Sequence, residues 1–488
     1  MSEFGVSKLD LLKQRLQSCS LHPEESEIIS NVDLSNSDLN VFPLQELLPL
    51  RDSLEVLNLG GNQLSSLPPE LALFRKLRIL FFAGNNFTEV PTVLGSLPDL
   101  YMLSFKSNRV SSVPAESLSP SLGWLILTDN QIRSLPGNIG RLAGLRKCML
   151  AANELTALPP EMAHCRSLEL LRIAANRLEV LPDWLLRLPR LRWLAFAGNP
   201  LCAEGSRAGA AALAGLRVID HSELMMGDKL GEGASGVVYQ ALWLPPAPAA
   251  SISDEAPAPP PPQQQQLAVK IFKSGATSDG LPEDEMQAML AAGSHANCVQ
   301  VLGRVANAPD GALGLVLPLI PPSHTILGNP PSFQTVTRDT YPSTAKFNIS
   351  TILHVAKGIL SVCAHLHSRG ISHGDLYAHN ILVDPSGSPM LSDFGAASFY
   401  SGLPNATRGA LQGLEVGAFG CLLEDLLERV DGVGSGAEGD RKGGGEAGEA
   451  GGETLRAVSS IQRLCMGPEP IQRPSFADLE AMFRDLDF

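Results

Sequence analysis

A chain of 488 residues with 44% hydrophobic content carries enough apolar mass for roughly two to four packed domains, which excludes a protein that is disordered throughout. The 51 acidic against 37 basic residues leave a formal charge of −14, which argues against a general binder of nucleic acid or anionic membrane, and the acids are too scattered to form an acidic tail. Eight cysteines stand singly with no C-x-x-C pair, so neither a zinc site nor a disulfide framework is signalled and a reducing compartment is expected.

Residues 1–28 read as an N-terminal helix and cap. The opening M-S-E-F-G-V-S-K-L-D-L-L-K-Q-R-L spaces its apolar residues like an amphipathic helix and lacks the continuous apolar run of a signal peptide. No later run is long enough to promise a bilayer span, so the expectation is a cytoplasmic protein.

From Leu54 onward the chain repeats itself. Units open at Leu54, Leu77, Leu100, Leu122, Leu145, Leu168 and Leu191, each close to L-x-x-L-x-L-x-x-N-x-L, with recurrent Asn62, Asn85, Asn108, Asn130, Asn153, Asn176 and Asn199. A degenerate eighth unit precedes them, with Ile29, Val32, Leu34 and Leu39 in the leucine positions and Ser37 in place of the asparagine. The pattern resembles the leucine-rich repeat and implies an α/β solenoid over 29–201, each unit stable only when stacked on its neighbours. The asparagines are placed to satisfy backbone groups at each turn of the coil. The L-P steps, as at Leu67-Pro68 and Leu158-Pro159, should start the return segment on the convex side.

Residues flanking the inward leucines should form two columns on the concave face, containing Ile79, Phe81, Met102, Trp124, Ile126, Met149, Leu170 and Trp193 with Lys147 and Arg172 among them. An apolar stripe with aromatics and a few cations suits a protein partner or substrate. Packing of these side chains against one another along the strands is the competing reading.

After an Ala- and Gly-rich junction, 202–223, read as a capping helix or linker, the composition changes. Leu230 to Tyr239 fits G-x-G-x-x-G-x-V, with Gly231, Gly233, Gly236 and Val238 between two apolar runs. Leu267-Ala268-Val269-Lys270 follows as a strand. Glycines there let backbone amides approach phosphate without a Cβ in the way. Between the two lies a Pro- and Gln-rich insert, 245–266, whose composition cannot form a core. Further on, I-S-H-G-D-L-Y-A-H-N-I-L-V-D and S-D-F-G-A span Ile371 to Ala396, with Ile381, Leu382 and Val383 reading as the strand between.

These motifs, in this order, resemble those of protein kinases, and the resemblance runs from Leu230 to the end of the chain through Glu415-Val416-Gly417 and Arg473-Pro474-Ser475-Phe476. It implies an α+β two-lobed protein-kinase-like fold over 224–488, with a second low-complexity insert at 431–453. The resemblance also implies ATP and Mg2+ as cofactors and a set of site residues. Asp375 would accept the substrate hydroxyl proton, Asn380 and Asp393 would hold metal, and Lys270 would bind the α and β phosphates. Its acidic partner is Glu285 by register, with Asp284 the alternative. Gly231, Gly233, Gly236, Val238, Ala268, Pro318, Ile320 and Leu382 would surround the nucleotide, the Pro318 carbonyl and the Ile320 amide serving the adenine at a hinge.

Three departures accompany the resemblance. Gly374 stands where the family has arginine, which removes the usual receptor for a phosphorylated activation segment. Tyr377 replaces a lysine, and the segment from Asp393 to Glu415 is short and lacks A-P-E. The leading expectation is a protein kinase whose repeats choose its target. The alternatives are a small-molecule phosphotransferase, suggested by H-G-D-L-x-x-x-N, and a kinase-like scaffold with little or no catalysis.

Overall fold

The computed structural model describes residues 7–21, 28–205, 207, 215–244, 264–431 and 446–486; most of both inserts and part of the Ala/Gly-rich junction lie outside them. The chain divides into two compact units, Met1–Leu201 and Cys202–Phe488.

The first unit begins with helix α1 (Lys8–Leu21), which buries Leu12, and a one-turn helix α2 (Leu44–Leu47). Eight three-residue strands then form one parallel sheet in sequence order: β1 (Asn31–Asp33), β2 (Val56–Asn58), β3 (Ile79–Phe81), β4 (Met102–Ser104), β5 (Trp124–Ile126), β6 (Lys147–Met149), β7 (Leu170–Arg172) and β8 (Trp193–Ala195). The central residue of each strand points into the solenoid, so Leu57, Leu80, Leu103, Leu125, Cys148, Leu171 and Leu194 make one buried column. Register sets Ile79, Met102, Trp124, Lys147, Leu170 and Trp193 side by side as one flanking column. Phe81, Ser104, Ile126, Met149, Arg172 and Ala195 make the other. Along these columns Ile79, Phe81, Trp124, Ile126 and Met149 stay partly exposed, and Lys147 stacks over the Trp124 ring at 4.2 Å.

Five of the return segments are short 3-10 turns entered through proline: Pro68, Pro91, Pro114, Pro136 and Pro159 all precede one with extended ψ. Proline presets φ and lacks the amide that a turn entry would leave orphaned. The asparagines do what their spacing implied. Asn153 Oδ1 accepts from the Ile132 amide at 3.0 Å while its Nδ2 donates to the Leu127 and Leu150 carbonyls, and the same three bonds recur at Asn62, Asn85, Asn108, Asn130, Asn176 and Asn199. In the degenerate unit Ser37 supplies no such amide; its own N–H donates to Asn62.

The second unit opens with a six-stranded sheet in the order β10-β11-β12-β14-β13-β9. Its strands are β9 (Val218–Asp220), β10 (Leu224–Glu232), β11 (Gly236–Trp243), β12 (Gln265–Phe272), β13 (Gly303–Ala306) and β14 (Gly314–Pro318). Strand β9 lies in the stretch read as linker, yet it joins the sheet parallel to β13 and buries Ile219 in the same apolar cluster as Leu224, Trp243, Val269 and Val316. Residues 265 and 266, assigned to the insert, already belong to β12, paired with Trp243 and Leu242. Helix α3 (Pro282–Ala292) packs beside this sheet with Met286 and Met289 buried.

The larger part is helical: α4 (Ile349–Ser368), α5 (Asn405–Leu427), α6 (Glu446–Cys465) and α7 (Phe476–Arg484). Asn348 caps α4 through the Thr351 amide at 2.7 Å, and Gly370 ends it at φ +68°. By length and composition α4 could cross a bilayer, but Ile352, Val355, Ile359, Leu360, Val362 and Leu366 are buried inside the unit, as in a core helix. Helix α6 starts within the stretch expected to be a low-complexity insert. Thr454, Val458, Ile461 and Cys465 recur on one face and are buried, and this periodic anchor lets helix run back through Glu- and Ala-containing sequence.

Candidate active site

Two short strand pairs set the geometry. Strand β16 (Ile371–Ser372) pairs with β19 (Ser398–Phe399), and β17 (Ile381–Val383) forms a hairpin with β18 (Pro389–Leu391) in which Ile381 faces Leu391. That register puts Asn380 opposite Ser392, whose N–H donates to the Asn380 carbonyl at 2.9 Å, so Asp393 emerges one residue from Asn380's partner. The sequence separation of the two motifs is thus a hairpin. Asn380 Nδ2 donates to Asp375 twice, to the backbone oxygen at 2.9 Å and to Oδ2 at 2.8 Å, which leaves the amide oxygen of Asn380 as its acceptor atom. Asp393 sits at φ +56°, a conformation that turns its carboxylate out of the strand line, and accepts from the Gly395 amide at 3.1 Å.

The loop before Asp375 is held from beneath. His373 is fully buried, bonds the Ser392 carbonyl through Nε2 at 3.0 Å and packs on the Phe394 ring at 5.1 Å. Gly374 has φ +71°, where an L side chain is strained by about 1–2 kcal/mol, and its N–H donates to Glu415 Oε1 at 2.8 Å. Glycine at this position thus suits the left-handed backbone found there. Glu415 rises from α5, fully buried, and also meets His367 Nε2 at 2.6 Å. Burial alone would raise its pKa; the bond to His367, the nearby His373 and the Gly374 amide together hold it below the ordinary glutamate value.

Strands β10 and β11 turn at the glycines, Gly233 N–H donating to the Gly236 carbonyl at 2.9 Å. A Cβ placed on Gly231 or Gly233 would meet no atom of the chain within 4 Å, whereas one on Gly236 would strike the Ile271 carbonyl at 2.6 Å. The first two glycines thus leave open space that a phosphate can fill, and the third is demanded by the chain's own packing. Val238 pairs with Lys270, Ala268 with Leu317 and Leu267 with Pro318, which sets these positions in register across three neighbouring strands. Pro318, Ile320 and Leu382 are each partly exposed, the last in β17 of the other strand set.

Lys270 forms an ion pair with Glu285, the lysine side chain 13% exposed and the glutamate 1%. This decides the helix register in favour of Glu285. Asp284 points elsewhere, and burial with Glu283 nearby pushes it up to about 6. Burial raises the pKa of Glu285; Lys270 opposes that shift and Asp393 adds to it, which places Asp393 within electrostatic reach of the pair. A Cβ on Gly395 would lie 3.2 Å from Asp393 Oδ1 and 3.8 Å from Glu285 Oε2. Residues from β12, α3 and the turn after β18 therefore converge. The oxygens of Asp393 and Asn380 are hard donors, few in number, as suits a cation that takes its remaining ligands from phosphate and water.

A separate cavity of about 710 Å3, bordered by Met226, Tyr239, Phe272, Lys273, Glu283 and Leu313, contains none of these residues. Neither does the short stretch after Asp393 extend the site. It passes through β19 and enters α5 at Asn405, with Arg473 from the C-terminal region bonded to the Gly413 and Gly467 carbonyls.

One functional neighbourhood escaped the sequence reading. The Pro-, Ser- and Thr-rich stretch 321–346 reads as a plain connecting loop, yet Asp339 from it is buried against the catalytic loop, accepting from the Ala378 amide at 2.5 Å and meeting His379 Nδ1 at 2.7 Å. The adjacent charges Arg338-Asp339, in a stretch whose only other charged residue is Lys346, are the available signal.

Residues 224–408 match the family model described as protein tyrosine and serine/threonine kinase, and 53–74 and 143–201 match leucine-rich-repeat models. The chain is similar to the epidermal growth factor receptor of Apis mellifera, 31% identical over 187 residues, which are 38% of this chain and 12% of the receptor. It is also similar to the receptor of that name from Drosophila melanogaster, 28% identical over 196 residues, 40% of this chain and 12% of the receptor. A probable serine/threonine-protein kinase of Dictyostelium discoideum is 29% identical over 180 residues, 36% of this chain and 9% of that protein. The chain thus spans about an eighth or less of the length of these relatives.

Proposed function

We propose, for a chain that joins a leucine-rich-repeat array to a protein kinase domain, that it transfers the γ-phosphoryl group of ATP, with Mg2+, to a Ser, Thr or Tyr hydroxyl of a protein recognised by the repeats. The observation that carries this reading is the convergence of the Lys270–Glu285 pair, Asp393 and the Asp375–Asn380 loop on one edge of the catalytic unit.

ATP with its cation supplies the phosphoryl group and neutralises charge on the transferring oxygens. Lys270, held by Glu285, would bind the α and β phosphates, and the space left open at Gly231 and Gly233 would admit them. Asp393 and the Asn380 amide oxygen would hold the cation. Asp375, oriented by two bonds from Asn380, takes the proton of the attacking hydroxyl. The Pro318 carbonyl and Ile320 amide serve the adenine, with Val238, Ala268 and Leu382 as its apolar neighbours. Regulation by a phosphorylated activation segment is not built in, since Gly374 supplies no cation and the segment after Asp393 is short.

The partly exposed Phe81, Trp124, Ile126 and Met149 support a protein-binding role for the concave columns, and replacing Phe81 and Trp124 by Ala should weaken partner binding by about 2 kcal/mol or more. A cytoplasmic location is supported by seven described cysteines that are free and buried. The decisive experiment incubates the protein with labelled ATP and Mg2+. Label in protein hydroxyls supports the reading, label in small alcohols makes it a small-molecule phosphotransferase, and nucleotide binding without transfer makes it a scaffold.

A further inference from the structure

The stretch joining β14 to α4 is built as a strap. Its first residues, β15 (Thr325–Ile326), pair with β17, and Leu327 N–H donates to the Ile381 carbonyl. Asn329 and Thr340 then exchange two backbone bonds at 2.8 and 2.9 Å, closing a loop whose tip buries Val336 and Thr337. Val336 is held at φ +62°, unfavourable for a β-branched residue, so the surrounding contacts over-determine this loop.

Two adjacent charges at the loop's return point in different directions. Arg338 reaches α5, where its guanidinium donates to Glu424 and Asp425 at 2.6 Å each and to the Cys421 carbonyl at 3.0 Å. Asp339 reaches the catalytic loop. One carboxylate oxygen accepts from the Ala378 and His379 amides at 2.5 and 3.2 Å, and the other meets His379 Nδ1 at 2.7 Å. Ala378, His379 and Asn380 form a single 3-10 turn between Asp375 and the strand β17, and the amides that begin such a turn have no partner within it. Asp339 provides that partner from 39 residues away.

We infer that Asp339, anchored through Arg338 to α5, is a positioning residue for phosphoryl transfer: it fixes the turn that aims Asn380 at the cation and so keeps Asp375 in line with the acceptor hydroxyl. The inference rests on the phosphotransfer reading. With the turn clamped at its start, Asn380 can be oriented at its end, where its Nδ2 is already committed to Asp375 and its oxygen is the atom that must face the metal. Groups that orient a metal ligand in this way are typically worth about 10–100-fold in metal affinity or activity.

The test compares full-length wild type with Asp339→Ala, Asp339→Asn and Arg338→Ala. Turnover is measured against Mg2+ concentration, and ATP affinity is measured calorimetrically with and without Mg2+. Asp339→Ala should raise the half-saturating Mg2+ concentration about 10–100-fold and remove most of the Mg2+-dependent part of ATP affinity, while metal-free ATP affinity stays unchanged. Asp339→Asn keeps an oxygen for the two amides and should recover most of the loss; Arg338→Ala should shift Mg2+ dependence in the same direction as Asp339→Ala, by less. If the variants lose turnover with Mg2+ dependence unchanged, Asp339 only supports the fold and the inference is overturned. A wild type that binds ATP yet labels no acceptor overturns the phosphotransfer reading instead. The inference is then decided by the binding arm, where Asp339→Ala must still lose the Mg2+-dependent affinity.

Discussion

In the repeat array the group that serves a buried backbone amide or carbonyl is, seven times over, an asparagine reaching about one coil away, with the same three bonds each time. In the catalytic unit several such tasks fall to charged side chains that do not recur: Glu415 for the Gly374 amide, Asp339 for the Ala378 amide and Arg338 for the Cys421 carbonyl. A repeated neutral device can lose one copy and keep its neighbours, because each coil contacts only those beside it. A single ionic device has no substitute, and removing one partner strands a buried charge. The array is therefore expected to degrade gradually and the catalytic unit to fail at single positions.

The largest effect should come from Asp393→Asn or Lys270→Met, which should lower phosphotransfer by about a hundredfold or more while the unfolding of the repeat array is unchanged. The array is readable by fluorescence, since Trp124, Trp184 and Trp193 lie in it and only Trp243 in the catalytic unit. Turnover that survived Asp393→Asn at ordinary Mg2+ would sink the site. Next in size is Glu415→Ala, which leaves His367 and the Gly374 amide without their shared acceptor and should cost about 3–5 kcal/mol in denaturant unfolding of the catalytic unit. A loss below about 1 kcal/mol would show that the relay can be replaced by solvent.

The same carboxylate gives a pH signature. Its folded-state pKa lies below the ordinary glutamate value, so its stabilisation is complete above that ordinary value and is lost as pH falls through the folded one. Glu415→Gln should remove that acid-side loss; an unaltered pH profile would mean that other carboxylates carry it.

Smaller again is Asn153→Ala. It orphans the Ile132 amide and two carbonyls and should cost about 1–3 kcal/mol in the array alone, with peptide turnover untouched. A cost as large as that of Glu415→Ala would break the contrast between the two units. The smallest change should be a gain. The residue before each ladder asparagine has positive φ; it is glycine at Gly61, Gly84 and Gly198 but alanine at Ala152 and Ala175, at +54° and +51°. Ala152→Gly should relieve about 1 kcal/mol of left-handed strain, less the added freedom of glycine in the unfolded chain, for a net rise of a few tenths to 1 kcal/mol.

The amino-acid sequence by itself determined everything that is periodic or local in this protein. The repeat boundaries, the two concave columns and the asparagine ladder are visible because each contact recurs at one coil's spacing. The link between Asn380 and Asp393 is visible because a tight hairpin joins them. Glu285 was favoured over Asp284 on register alone, and the ion pair with Lys270 agrees. The tertiary structure alone decided which distant groups close the catalytic loop. Gly374 meets Glu415 across 41 residues and His379 meets Asp339 across 40, pairings that no sequence period encodes because they depend on how α5 and the strap pack. It also decided that 218–220 form a sheet strand and that helix α6 begins inside a Gly- and Glu-rich stretch. In each case, burial against a neighbour outweighed weak local propensity.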